Sequence, residues 1–456
     1  MKRSIAALVL TLTITSQATL STYAASQAVT LNTFEGVLKQ VEAEYYKPLE
    51  RDALLQAALK GMLSSLDPYS EYFSASEYKS FTDSIEGSFV GIGVVVSEHP
   101  QYIEILQVYP DSPAMAAGLL KGDLITAVNG TDLSTLAYEQ RIDRLLGAEN
   151  TSVTIGLQRG DRKTAKTLVR KRIQVNPVES RLLDQQVGYI RIYEFTSNAP
   201  EHFEKALRVL QDQKIKGLIL DLRDNPGGDV EAVLKISEWL VPKGTTLITV
   251  QYRQGSDSYQ SEREPLGLPL AVLVNESSAS GSEMLAGIVK DNKTGTVIGT
   301  RTFGKGVAQN TYALNGGNSG GFKVTIAEFF TTSKTRIQGA GITPDIVLPQ
   351  PKPFPEVQMR NLAVIESDGA VKLGASGLNV MAVEQRLALM GYSITTDGIY
   401  DPQLYDTLRQ MGIDRDGILT KTEALELQKV FNQASQKASE DVQLKKAMEV
   451  LASQQR

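Results

Sequence analysis

The chain of 456 residues has no cysteine, two histidines and one tryptophan. Without thiols there is no cysteine nucleophile, no disulfide framework and no cysteine-ligated zinc. His99 stands before Pro100 and His202 sits in an amphipathic helical pattern, both among polar neighbours. They read as surface residues, which disfavours a Ser-His-Asp triad and leaves a serine paired with lysine open. A strong charge is also missing: the formal net charge is −5, a poor basis for binding nucleic acid. Near the N-terminus the apolar run Ile5 to Ile14 is short for a membrane span. Met1-Lys2-Arg3 precedes it and the small residues around Thr22-Tyr23-Ala24-Ala25 follow, so residues 1–25 read as a signal peptide. The expected location is exported and extracytoplasmic, secreted or wall-associated, with an uncleaved N-terminal anchor as the other reading. No segment has the look of a nucleotide site, and neither cofactor nor metal is expected.

What is present falls into blocks. Leu31, Phe34, Val37, Leu38, Val41 and Tyr45 share one helical face, and Leu54, Leu55, Ala58, Leu59, Met62 and Leu63 form a second stripe after Pro48. Those stripes suit either packing within the chain or a dimer arm. From about Phe81 to Val178 the pattern turns to short strands, with Gly87, Gly91 and Gly93 punctuating Phe89 to Val96. Ser112 caps a short helix with Pro113 in its first turn and Gly118 closing it. Beyond Pro177, strands alternate with helices, which argues an α/β core. Four prolines between Pro349 and Pro355 read as a linker. Past it lies a small helical unit with a repeated turn, Asp397-Gly398-Ile399-Tyr400 and Asp416-Gly417-Ile418-Leu419.

The chemistry concentrates downstream of the apolar strand Ala271 to Val274. Ser277, Ser278, Ser280 and Ser282 crowd the turn before the helical pattern of Met284, Leu285, Ile288 and Val289. A strand–turn–helix of this kind exposes a hydroxyl beside helix N-terminal N–H groups. Lys305 follows in Thr302-Phe303-Gly304-Lys305-Gly306, with apolar and glycine flanks and no acid within four residues. A serine needs a base within reach, and a lysine serves only when burial or a like charge keeps it neutral. Gln309 is uncharged and four residues on, so it can bond the amine without holding it protonated. The N–H of Gly281 and the turn Asn225-Pro226-Gly227-Gly228 are candidates for an oxyanion site. Of the four serines, the downstream lysine, the neutral glutamine and the glycine turn together favour Ser280.

Three resemblances follow from these motifs. Gly91-Ile92-Gly93, Ser112-Pro113-Ala114 through Gly118-Leu119, and Gly122-Asp123-Leu124-Ile125 with Val128-Asn129-Gly130 resemble a circularly permuted bacterial PDZ domain. That likeness implies peptide-carboxylate binding at Gly91, Ile92 and Gly93. Leu218 to Arg223 with Asn225-Pro226-Gly227-Gly228, Ser278 to Glu283, and Thr302 to Gly306 with Gln309 resemble the carboxyl-terminal processing (tail-specific) peptidases. Leu66-Asp67-Pro68 and Gly341-Ile342-Thr343-Pro344-Asp345 match two further signatures, so the likeness spans about Leu31 to Leu348. It implies Ser280 as nucleophile, Lys305 as base, Gln309 orienting it, and Glu283 and Thr302 in support. Gly281 stands where the family usually has Ala, and Asp224 where a neutral residue is common; neither change removes an N–H donor. Finally, Val383, Gln385, Leu387, Gly391, Tyr392, Asp397, Gly398 and Tyr400 resemble a peptidoglycan-binding domain, leaving wall binding or an inert cap open.

The expected architecture mixes α/β and α+β. A helical dimerisation region over 26–80 precedes a PDZ domain over 81–178 and a crotonase-like protease core over 179–350. A linker over 351–375 then leads to a helical domain over 376–456. The function implied is a PDZ-gated Ser-Lys endopeptidase acting on flexible C-terminal tails, as a homodimer, with peptidoglycan a further partner. An inactive PDZ and wall-binding scaffold, or a crotonase-like hydratase or thioesterase, are the rival classes.

Overall fold

A computed structural model describes residues 29–454, which divide between Leu66 and Asp67 into two units. The expected signal peptide lies outside the described residues. The first unit is two helices, Leu31–Glu44 and Arg51–Ser64, with the break at Pro48. The Thr30 hydroxyl accepts from the Thr33 N–H and caps the first. Within this unit only Leu38 and Leu63 of the two apolar stripes are buried; Leu31, Phe34, Val37 and Met62 are exposed.

The second unit opens with Asp67, whose carboxylate accepts from the N–H groups of Tyr69 and Ser70. The helix Ala75–Ile85 follows, capped by Ser74. Phe81 therefore lies inside a helix rather than at the start of a strand region. The expected strand from Phe89 to Val96 is two: Ser88–Gly91 pairs with Lys171–Gln174, and Val94–Glu98 joins a different sheet. Gly93 makes the break, at φ +86°, where a Cβ would sit 2.2 Å from that of Ser112. The second sheet runs 94–98, 103–108, 124–128, 152–159, 162–169, so that Val94–Glu98 is an edge strand. Ile103, Ile105, Ile125, Val153 and Ile155 fill its core.

The next layer is a six-stranded sheet of Val178–Leu183, Val187–Ile192, Gly217–Asp221, Leu270–Val274, Thr296–Gly299 and Ile346–Val347, in that spatial order. Only the first pair is antiparallel. Its strands are almost continuously apolar because both faces are covered. Ile190, Leu218, Leu220 and Val272 pack under the helices Ala199–Asp212, Val230–Ser237 and Gly281–Asp291. The alternate residues Tyr189, Ile219, Ala271 and Leu273 meet Ala447 and Leu451 of the helix Val442–Gln454. A five-stranded sheet of Glu71–Phe73, Thr246–Tyr252, Ser256–Gln260, Val307–Ala313 and Gly321–Thr331 completes the core.

Residues 351–375, expected to be a linker, are not a free spacer. They carry a short helix, Glu356–Arg360; Phe354 stacks on Phe431 at 5.3 Å, and the Ala363 N–H donates to Gln385. The repeated turns are one device used twice, with Asp397 accepting from the Ile399 N–H and Asp416 from the Ile418 N–H. Among the described residues no helix is long and apolar enough to cross a membrane.

One buried ionic cluster ties Val442–Gln454 to the sheet. Arg223 bonds Asp221 at 2.6 Å and Asp441 at 2.8 Å, and the Tyr189 hydroxyl donates to Asp221 at 2.7 Å. Asp221 is fully buried and Arg223 is 12% exposed. Arg223→Ala should lower unfolding free energy by about 3–5 kcal/mol, because it strands a buried carboxylate. Asp441→Ala should cost only about 1 kcal/mol, since that carboxylate is half in water and Arg223 keeps Asp221. Denaturant midpoints of both variants check this order.

Candidate active site

The strand Leu270–Val274 is buried throughout and delivers the chain to a tight turn in which Ser278 and Ser282 are spent on structure. The Ser278 hydroxyl donates to Leu222 O at 2.8 Å and the Ser282 hydroxyl to Asn225 O at 3.0 Å. Ser277 is exposed on the outer side of the turn. Ser280 differs from all three. Its backbone is at φ 52°, ψ −109°, a strained conformation for a residue with a side chain, directly before the helix Gly281–Asp291. Among the described residues its hydroxyl makes no hydrogen bond, and it faces a cavity of about 430 Å³.

Lys305 lines the same cavity, as do Gly228, Asp229, Gln309 and Lys323. No carboxylate pairs with its amine among the described residues; the amine lies 4.8 Å over the ring of Tyr69. Burial, then the ammonium of Lys323, push the Lys305 amine below the usual lysine range, while Asp67 and Glu283 pull the other way. Gln309 is in place, but its Nε2 donates to Val307 O and Thr325 Oγ1, both at 3.3 Å. Its amide oxygen carries no hydrogen bond among the described residues.

Glu283 holds these parts together. Its Oε1 accepts from Thr302 Oγ1 at 2.6 Å and from the Gly304 N–H at 2.7 Å. Its Oε2 accepts from the N–H groups of Ser280 at 2.8 Å and Lys305 at 2.7 Å. Burial pushes its carboxyl up, against those four donors. Thr302 Oγ1 in turn accepts from the Ile342 N–H at 2.7 Å, which ties in the Gly341-Ile342-Thr343-Pro344-Asp345 signature. Both support residues thus hold the backbone and leave the cavity to others.

The oxyanion candidates need one correction. Gly227 is buried and its N–H is already given to Asn225 Oδ1 at 2.8 Å, so it is not a free donor. The N–H groups of Gly228 and Gly281 carry no hydrogen bond among the described residues. Gly227 is needed for another reason: at φ +104°, a Cβ there would lie 2.7 Å from the Gly281 nitrogen. The glycine turn and the serine turn are in backbone contact.

In the module before the core, Gly91, Ile92 and Gly93 are buried. The carbonyls of Ile92 and Gly93 accept from Ala114 and Tyr109, while the Ile92 and Gly93 N–H groups make no hydrogen bond among the described residues. Sequence reading missed Tyr69 and Lys323, and it assigned no role to Asp67. The Leu66-Asp67-Pro68 signature pointed near the first of these; nothing local marks Lys323.

A model described as peptidase family S41 matches residues 186–348, and a PDZ domain model matches 104–159. A probable CtpA-like serine protease of Staphylococcus aureus (strain MRSA252) is 32% identical over 383 residues, covering 83% of this chain and 75% of that protein. The carboxy-terminal processing protease CtpA of Bacillus subtilis (strain 168) is 31% identical over 425 residues, covering 91% and 88%. The chain belongs to peptidase family S41. Among solved structures, the photosystem II D1 C-terminal processing protease is 30% identical, covering 70% of this chain and 88% of that one, with a TM-score of 0.42. The S41 match covers the parallel strands of the six-stranded sheet and the helices between them, and the PDZ match lies in the sheet that precedes it.

Glu283→Ala would leave three N–H groups and one hydroxyl buried without an acceptor, each costing about 1–3 kcal/mol. The variant should lose both thermal stability and peptidase activity, read by a melting curve and a cleavage assay on the same preparation.

Proposed function

We propose that this S41 peptidase is a serine endopeptidase in which Ser280 and Lys305 form the catalytic dyad. The observation that carries this reading is a strained serine whose hydroxyl makes no hydrogen bond among the described residues, facing the same cavity as a half-buried lysine with which no described carboxylate pairs. The Ser280 oxygen attacks the scissile carbonyl carbon while its proton passes to Lys305 Nζ. The N–H groups of Gly228 and Gly281 receive the developing oxyanion, as donors already oriented before substrate arrives. When the intermediate collapses, the C–N bond breaks and the Lys305 ammonium protonates the departing amine. Water then gives a proton to the neutral lysine and attacks the acyl carbon; the C–O bond to Ser280 breaks, the Lys305 ammonium returns the proton to the serine oxygen, and the new acid leaves, losing its proton to solvent as the carboxylate. Gln309 orients the base through its unused amide oxygen.

The same reading assigns the PDZ domain to chain ends. Val94–Glu98 is an edge strand with an unpaired side, and the adjoining glycine turn offers the unused N–H groups of Ile92 and Gly93. A flexible C-terminal tail fits that arrangement, adding as a strand with its carboxylate on the turn. The exposed apolar face of Leu31–Glu44 supports a homodimer formed through the first unit. Export, and peptidoglycan contact by residues 376–456, rest on the sequence motifs alone.

Ser280→Ala and Lys305→Ala should each lower kcat on an unstructured, tailed protein by at least about 10³-fold. Retained cleavage in either, with contaminating proteases excluded, would falsify the dyad. The base acts only when neutral, so kcat/KM should rise with pH through the lowered value of Lys305. A profile flat from neutral to alkaline pH, with chemistry rate-limiting, speaks against a lysine base.

A further inference from the structure

A lysine base is useful only while it is neutral, and half-burial is the first thing that favours this. The structure holds a second device. Lys323, on the strand Gly321–Thr331, opens onto the same cavity as Lys305 and Ser280. Strand register places it between Glu71 on one side and Thr311 on the other. Its amine lies 5.4 Å from the Phe73 ring centre and 5.3 Å from that of Phe81, and those rings stack on each other at 4.8 Å. Glu71 accepts from it at 3.3 Å. Two aromatic faces and one carboxylate therefore fix the ammonium at the cavity wall, and Lys323 is only 22% exposed.

We infer that Lys323 is a positioning residue acting through Lys305: its ammonium, fixed in the catalytic cavity, keeps the Lys305 amine in its free-base form. The inference rests on the dyad proposed above. Asp67 on the opening segment and Glu283 on the serine helix favour a protonated lysine, as does the Tyr69 ring beneath the amine. Asp229, Tyr252 and Tyr259 line the same cavity. Among the described residues, Lys323 is the one fixed positive charge that acts against Asp67 and Glu283. Like charges in a partly desolvated cavity repel strongly, and protonating the base would place a second ammonium there. Glu71 is 57% exposed, so water screens it more than it screens Lys323.

The test is the pH dependence of kcat/KM for the full chain on an unstructured tailed protein. Lys323→Met should move the rising limb to more alkaline pH. Its activity relative to the unaltered enzyme is then lowest at the acid end and climbs toward one as pH increases. Lys323→Arg keeps the charge and should leave the limb in place. Glu71→Gln removes the counter-charge and should move the limb the opposite way, to more acidic pH, which keeps the idea testable should Lys323→Met fold poorly. An unmoved limb in Lys323→Met or in Glu71→Gln overturns the inference, as does a raised KM at every pH with the limb unchanged, which would make Lys323 a substrate contact. Lys305→Ala separates the two claims. If it is inactive while Lys323→Met leaves the limb unmoved, the dyad stands and only the role of Lys323 falls. If it is active, the dyad itself is wrong.

Discussion

The Glu283 carboxylate is the constraint on which the site depends. A serine at positive φ and a lysine on an irregular loop are each unfavourable alone. One buried carboxylate takes the backbone N–H groups of both residues, together with those of Gly304 and the Thr302 hydroxyl. The distance between the serine turn and the lysine loop is thereby set by a two-oxygen acceptor. Burying that charge is costly, and four donors are what make it tolerable. Because the bonds go to backbone, the Ser280 and Lys305 side chains are left to the cavity.

Around this clamp the fold brings in distant chain. Asp67 and Tyr69 come from before the PDZ domain, Gly228 from the end of one parallel strand, Ser280 from the end of the next, and Lys323 from the second sheet. A serine after an apolar strand and a glycine turn after its neighbour lie at the carboxyl ends of adjacent parallel strands, where α/β sheets present their ligand crevices. The close contact of Gly227 with the Gly281 nitrogen is the physical content of the paired motifs.

Much of this was legible in the sequence because its signals are local. Capping at Ser112, the apolar runs of the parallel strands, and the serine and lysine motifs each rest on residues close together in the chain. The choice of Ser280 over Ser277, Ser278 and Ser282 came from partners further along, and the geometry shows why two of the others are unavailable: their hydroxyls hold the turn. Other features were not legible. Val307–Ala313 and Ser256–Gln260 carry polar residues on exposed faces, so no hydrophobic period announces them. The proline-rich stretch after Pro349 reads as a spacer by composition, yet Phe354 anchors it. Gly227 and Gly228 look equivalent in one dimension; only hydrogen-bond bookkeeping shows that one N–H is occupied. Lys323 lies in an unremarkable sequence, and its place on the cavity wall follows from cross-strand register with Glu71 and Thr311.

The helix Val442–Gln454 gives the molecule an order of assembly. It alone supplies Ala447 and Leu451 to the outer face of the parallel sheet, and Asp441 just before it completes the Arg223 cluster. On a ribosome, every strand of that sheet, from Val178–Leu183 to Ile346–Val347, emerges well before the helix Val442–Gln454 that covers it. Val187, Tyr189, Ile219 and Leu273 must wait, apolar and uncovered, until residue 454 is made. This face of a protein-degrading chain's core is thus finished only when a segment far downstream of its strands has been made. Cutting away that helix would reopen the sheet at the strand Gly217–Asp221, which leads into the glycine turn.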